Sequence, residues 1–136
     1  MSVHVRLRVG DEVYAMPVEH VLEIAELGEV TPVPGSQASI LGVRNLRGQI
    51  LPIVDLASVF GIRGSGNPKR VLVAEANGQR AGFAIDDVSD IEQLPDAVDE
   101  TESDLLVGAA LTKDELVGVV DVARVFQSLE TAGVAQ

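Results

Sequence analysis

The groups best suited to proton transfer in this chain are two histidines, because an unperturbed imidazole titrates near neutral pH. His4 alternates with the apolar residues Val3 and Val5, a pattern that points it to solvent. His20 has Glu19 beside it and Glu23 three residues on, so one reading is a small acid–base enzyme pairing His20 with a carboxylate. Against it, no second histidine stands at metal-ligand spacing, and the chain has no nucleophile elbow and no phosphate-binding loop. It has no cysteine either, which removes thiolate ligands, disulfides and a thiol nucleophile. Nine acidic side chains lie between Asp86 and Asp104, but without the alternating Asp/Asn pattern and central glycine of an EF-hand. A solvated acidic face is expected there, with no metal and no cofactor. Asp55 and Asp121 look like a carboxylate pair, yet each follows a strand pattern and opens a helix pattern, so helix capping is the expectation.

Asn45-Leu46-Arg47-Gly48 is different, since it lies between two apolar runs. The bland reading is a tight turn with Arg47 in solvent. The functional reading is an arginine presented for contact, a residue type enriched at interface hot spots. Val18, Val21 and Ile24 pose the same choice between core and interface.

The elements that must position these residues read mainly as strands. The chain has 136 residues, 46% of them apolar, with only four aromatics and 13 glycines. That composition, rich in Val, Ile and Gly, favours strands and turns. Its formal net charge of −11 disfavours nucleic acid and anionic membrane surfaces as partners, because phosphate binding draws on Lys and Arg. The first residues lack the apolar core of a signal peptide, and no apolar run approaches the roughly 18 residues of a membrane span. A cytoplasmic protein with no direct membrane binding is expected.

Val3, Val5, Leu7 and Val9 alternate with polar residues, and Gly10-Asp11 then joins them to Glu12–Met16 in a hairpin with a type II′ turn. A turn or short helix is expected around Pro17 to Val21, then a strand from Leu22 or a longer helix through Leu27. Thr31 to Gly35, with two prolines, is an extended connector. Gln49 to Val54 is a strand whose Pro52 predicts an edge or a bulge. Asp55 caps a short helix, Leu56 to Phe60, that Gly61 ends. After a flexible loop at 63–68, Asn77-Gly78 makes a type I′ hairpin between Val71–Glu75 and Arg80–Ile85. A strand and acidic loop follow over 86–104. Leu105–Leu111 and Leu116–Val120 are strands, and Asp121 caps a helix to about Leu129, leaving a flexible tail at 130–136.

The chain is also a faint tandem repeat. Shifted by 66 positions, Ile40–Phe60 falls on Leu106–Phe126 without a gap, matching Gly42 with Gly108, Val54-Asp55 with Val120-Asp121 and Val59-Phe60 with Val125-Phe126. Arg47 meets Lys113, while Asn45 and Gly48 have no like counterparts. Two similar small barrels packed as one domain over 1–129, with a repeat boundary near 65–70, account for this pattern. Closure removes exposed strand edges.

Three segments carry a family resemblance: Val30-Thr-Pro-Val-Pro34, Leu41-Gly-Val-Arg-Asn-Leu-Arg-Gly48 and Ile50-Leu-Pro-Ile-Val-Asp-Leu56. With Gly82–Val88 and Val117–Asp121 they resemble CheW, the coupling protein of bacterial chemosensory arrays, over roughly residues 3–128. The resemblance implies an all-β fold of two five-stranded SH3-like barrel lobes with short Asp-capped helices. It implies a non-catalytic adaptor joining methyl-accepting chemoreceptor tips to the regulatory domain of a CheA-type histidine kinase. The residues matching the family's receptor groove are Val5, Val18, Val21, Ile24 and Val88, with Arg47 as the polar contact in its Asn45–Gly48 turn. The barrel ends would bind the kinase domain. Arg44 departs from the pattern, which usually has an aliphatic residue there. An array-capping subunit, a receiver-less relative of CheW–receiver fusions, or a scaffold for pilus movement or development are alternative settings for the same fold.

Overall fold

A computed structural model describes residues 2–95, 103–112 and 115–131, with side chains to 129. Among the described residues ten strands form two five-stranded sheets. In chain order they are β1 (Ser2–Val9), β2 (Glu12–Pro17), β3 (Val21–Glu26), β4 (Ile40–Leu46), β5 (Gln49–Asp55), β6 (Arg70–Ala76), β7 (Gln79–Ile85), β8 (Asp87–Leu94), β9 (Leu106–Leu111) and β10 (Leu116–Val120). A single 3-10 turn, Val18–His20, precedes β3, and two helices, α1 (Leu56–Phe60) and α2 (Val122–Thr131), follow β5 and β10.

One sheet runs β8-β1-β2-β10-β9 and the other β3-β6-β7-β5-β4. The repeat is therefore real in three dimensions: β1, β2, β8, β9 and β10 occupy the places of β6, β7, β3, β4 and β5. It is not, however, a division of the chain into two contiguous lobes. Each sheet takes its opening hairpin from one half of the chain and its other three strands from the other half. The boundary near 65–70 separates sequence repeats, not barrels.

Turn chemistry follows the local sequence. Gly10 has φ +60° and Asp11 does not share it, as a type II′ turn requires. Asn77 and Gly78, at +52° and +81°, both adopt the left-handed region of a type I′ turn. Gly61 ends α1, with its N–H on Ser58 O and that of Ile62 on Ala57 O. Asp121 caps α2 as expected, its Oδ1 accepting the Arg124 N–H at 3.1 Å. Asp55 holds the same position at α1 but makes no side-chain cap hydrogen bond.

Two expectations are corrected. β5 is an interior strand, between β7 and β4, so the edge expected from Pro52 is wrong, while the β4–β5 pairing does shift register opposite Ile53 and Val54. Val43, the cross-strand partner of Pro52, exchanges its backbone hydrogen bonds with Thr31 at 2.8 and 2.9 Å, and pairing with β7 starts only at Ile53. No ladder bond is asked of the nitrogen that proline cannot supply. His4 is not in solvent: it is 6% exposed, flanked by β2 and β8, with Nδ1 2.9 Å from Ser2 O. The strand pattern of β1 fails at this residue. The expected tail lies largely outside the described residues, as do 96–102 of the acidic loop; α2 itself runs to Thr131.

The core joins the sheets. Val5, Leu7 and Met16 from one belong to the same cluster as Leu72, Phe83 and Ile85 from the other. Tyr14 of β2 stacks on Phe60 of α1 with ring centroids 4.6 Å apart and planes at 12°. Phe126 of α2 meets Phe83 of β7 at 5.9 Å. Each helix thus carries an aromatic onto the sheet it did not grow from.

Candidate protein-binding site

The Asn45–Gly48 turn is a two-residue hairpin loop between β4 and β5, closed by the Leu46/Gln49 pair. Arg47 and Gly48 have φ of +55° and +83°, close to the values at Asn77 and Gly78. Asn and Gly suit such a turn; an arginine there strains against its Cβ by roughly 1–2 kcal/mol. Asn45 helps to hold the strained loop, its Oδ1 accepting the Gly48 N–H at 2.9 Å. Arg47 is therefore not selected by the backbone of the turn.

Its side chain is 78% exposed and lies across to β3, where Nε donates to Glu23 Oε2 at 3.0 Å and Oε1 at 3.2 Å. β3 also carries Leu22 and Ile24, both exposed, and the preceding 3-10 turn carries the exposed Val18. The turn touches β1 of one sheet and β6 of the other, which puts Val18 at the seam of the molecule. His20 gives its Nδ1 to the Glu75 carbonyl at 2.9 Å, while Glu23 is engaged by Arg47. Of the two carboxylates that the acid–base reading offered His20, Glu23 is thus committed to Arg47.

The remaining expected residues divide. Val21 and Val88 are partly buried against the shared core, at matching places on β3 and β8. Val5 is 1% exposed and wholly part of that core, so it has no surface to offer a partner. Its cross-strand partner Ile91 is 62% exposed and is the accessible apolar residue at that register. Sequence reading passed over Ile91, which lies among acidic residues, and used Leu22 only as part of the Leu22/Ile24 strand alternation, which the structure keeps. It also passed over Leu111 and Leu116, a cross-strand pair 68% and 64% exposed at the β9–β10 hairpin. Alternation alone does not say which face of an edge hairpin is covered.

The nearest charge cluster is structural. Arg6 bridges Glu92 of β8 and Glu115 before β10, both at 3.1 Å. Burial pulls the Arg6 guanidinium down, but its hydrogen bonds to the two carboxylates outweigh that and leave it raised. Among the described residues no group of three metal-ligating side chains converges, and no helix is long and apolar enough to cross a membrane.

Two interlocked five-stranded barrels, with a strained cationic hairpin beside an exposed apolar strand, define a β scaffold built for contact with other proteins. The CheW-like domain family model matches residues 4–130, and the chain belongs to that family. It is 36% identical over 128 residues to the chemotaxis protein CheW of Helicobacter pylori, covering 88% of this chain and 78% of that one. It is 31% identical over 136 residues to the CheW of Rhizobium meliloti, covering 93% and 88%. The solved structure of the scaffolding protein TtCheW from Thermoanaerobacter tengcongensis superposes with a TM-score of 0.79 at 27% identity, over 93% of this chain and 92% of that one. The chain is thus a CheW-like chemotaxis scaffold.

Proposed function

We propose that this chain is a cytoplasmic adaptor coupling methyl-accepting chemoreceptor tips to the regulatory domain of a CheA-type histidine kinase. The observation that carries the reading is Arg47, an arginine kept at φ +55° and exposed beside β3 where Asn or Gly would serve the turn better. Strain at a positive φ that the turn does not need points to a use for the side chain. The receptor's helical hairpin would lie against Val18, Leu22 and Ile24, with Val21 and Val88 forming the floor, Ile91 on the far side and Arg47 as the polar anchor. Such a helix contact rests on a few apolar anchors along one face. The kinase domain would take the end of the first barrel that carries the exposed Leu111/Leu116 pair.

Titration calorimetry of the full chain against a receptor-tip hairpin, and separately against a kinase regulatory domain, tests the reading. Micromolar binding to each is expected, worth about 8 kcal/mol. Binding to neither sinks it.

A further inference from the structure

We infer that Asn77-Gly78 is a spontaneous deamidation site that the closed β6–β7 hairpin keeps silent and that opening of the hairpin releases. Deamidation needs an asparagine whose following backbone nitrogen can reach its own side-chain carbon. The three asparagines of the chain differ in that respect. Asn67 precedes Pro68, whose nitrogen carries no hydrogen. Asn45 precedes the bulky Leu46, and its Oδ1 is taken by the Gly48 N–H at 2.9 Å. Asn77 precedes Gly78, which has no side chain to crowd the approach, and both residues are exposed. The paired residues of the hairpin end at Ala76 and Gln79, so the Gly78 nitrogen lies outside the ladder.

The Gly78 nitrogen gives its proton to solvent base and attacks Asn77 Cγ. The Cγ–Nδ2 bond breaks, and Nδ2 takes up a proton and leaves as ammonia. Water then opens the resulting succinimide. Addition at Cγ gives aspartate, and addition at the main-chain carbonyl gives isoaspartate, whose backbone runs through the side chain. Nothing is oxidised or reduced, and water is the only co-reactant.

The folded turn prevents the first step. With φ of +52° and +81°, Asn77 and Gly78 form a type I′ turn, which sets ψ of its first central residue to about +30°. That rotation carries the Gly78 nitrogen to the side of the Cα–C bond away from Cβ, so Cγ is beyond its reach and the ring cannot close. The hairpin is also held shut behind the exposed tip. Ala74, Ala76 and Ala81 belong to the shared core. Arg80 ties β7 to both neighbours beside the turn, with Nε on Glu75 Oε2 at 2.7 Å and Nη1 on Gln49 Oε1 at 3.3 Å. Reaction therefore waits for local opening, which samples other ψ values. Loss of ammonia makes the step irreversible. Isoaspartate lengthens the backbone of a two-residue loop between two interior strands, so the tight turn cannot re-form.

The test incubates the full wild-type chain at neutral and mildly alkaline pH, folded and in denaturant. Peptide mass mapping follows amide-to-acid conversion, and an isoaspartyl methyltransferase is the probe for isoaspartate. In denaturant, Asn77 is expected to convert faster than Asn45 or Asn67, and faster still as pH rises, because the attacking nitrogen must lose its proton. In the folded chain Asn77 should convert at least about tenfold more slowly, since only the open fraction reacts. Chains carrying isoaspartate, returned to native buffer, should melt at a lower temperature than unmodified ones. Equal rates at Asn77 in the folded and unfolded chain would overturn the gating by the hairpin. No preference for Asn77 in denaturant would overturn the site itself, and an unchanged melting temperature after conversion would overturn the block to reclosure.

Discussion

Arg47, at the tip of one hairpin, is held by Glu23 on β3, with Nε 3.0 Å from Oε2. β3 and β4 are the two outer strands of their sheet, so this contact spans the sheet's open sides. An ion pair this exposed contributes little, about 0–1 kcal/mol. The left-handed backbone at Arg47 costs about as much or more. Arg47→Gly is therefore expected to leave stability unchanged or raise it by up to about 1 kcal/mol, since glycine adopts positive φ freely. The same variant should weaken receptor binding by about 1–3 kcal/mol, as loss of an interface arginine does. Opposite signs in a denaturant melt and a binding titration are the outcome to look for. A stability loss larger than 1 kcal/mol would make Arg47 a structural residue.

Val21 and Val88 pack against the shared core, whereas Leu22 and Ile91 stand out from it. An aspartate at Val21 or Val88 places a charge against apolar side chains and should cost about 2 kcal/mol or more of stability. Leu22→Asp and Ile91→Asp should stay within about 0.5 kcal/mol of wild type, as exposed substitutions do. The second pair is therefore the clean probe of the proposed receptor face. Chemical denaturation separates the two pairs; equal destabilisation of all four would contradict the burial difference.

Much of this fold was legible because the turn chemistry is explicit. Asn77-Gly78, Gly10-Asp11 and Gly61 each carried a backbone requirement in the residue type itself. Asp121 was legible for the same reason. Pro52 misled because a missing N–H matters only where the ladder would use it, and the bonds of Val43 go to Thr31 instead. His4 misled because period-two alternation assigned it to the solvated face, yet it is 6% exposed; Val5 came from the resemblance, whereas alternation itself puts it in the core, where it lies. The exchange of strands between halves left no local signal at all. A repeat in sequence has the same appearance whether its units pair within themselves or with each other. Of the candidate site, the Arg47 turn was named from its sequence, and the role proposed for Arg47 came from the family resemblance. Glu23, Ile91 and the Leu111/Leu116 pair depended on how distant strands come together.

Asp55 and Asp121 occupy equivalent helix starts, yet only Asp121 bonds its helix through the side chain. Asp121→Ala should cost about 1 kcal/mol, the usual loss for a working N-cap. Asp55→Ala should cost less than half of that. Thermal melts of the two single variants measure the difference directly, and equal losses would mean that the position, not the hydrogen bond, carries the effect.

Tyr14 is the buried partner of Phe60, and burial raises its phenol above the ordinary value of 10.0, with the charge of Glu12 adding to the rise. The sign follows from the neutral form being favoured when folded. The contribution is intact below pH 10, where both states keep the proton, and is lost as pH rises from the unfolded value towards the folded one. The protein should thus weaken above about pH 10 more steeply than Tyr14→Phe does. Melting temperatures of the two between pH 8 and 11 check this; parallel curves would remove Tyr14 as a cause.

The interlocked sheets make a prediction about the chain as a whole. Cut in the loop between α1 and β6, the first piece holds the β1–β2 hairpin of one barrel with β3, β4 and β5 of the other. The second piece holds β6–β7 with β8, β9 and β10. Neither can complete a sheet, and a lone two-stranded hairpin is marginal in water. Each would also expose its share of the single cluster that joins Leu7 to Phe83. The two pieces should be largely unfolded when separate and should assemble one-to-one when mixed, regaining the circular dichroism of the intact chain. If either piece alone gave a cooperative melt, the barrels would be able to close from contiguous halves, and the strand exchange would not be required for folding.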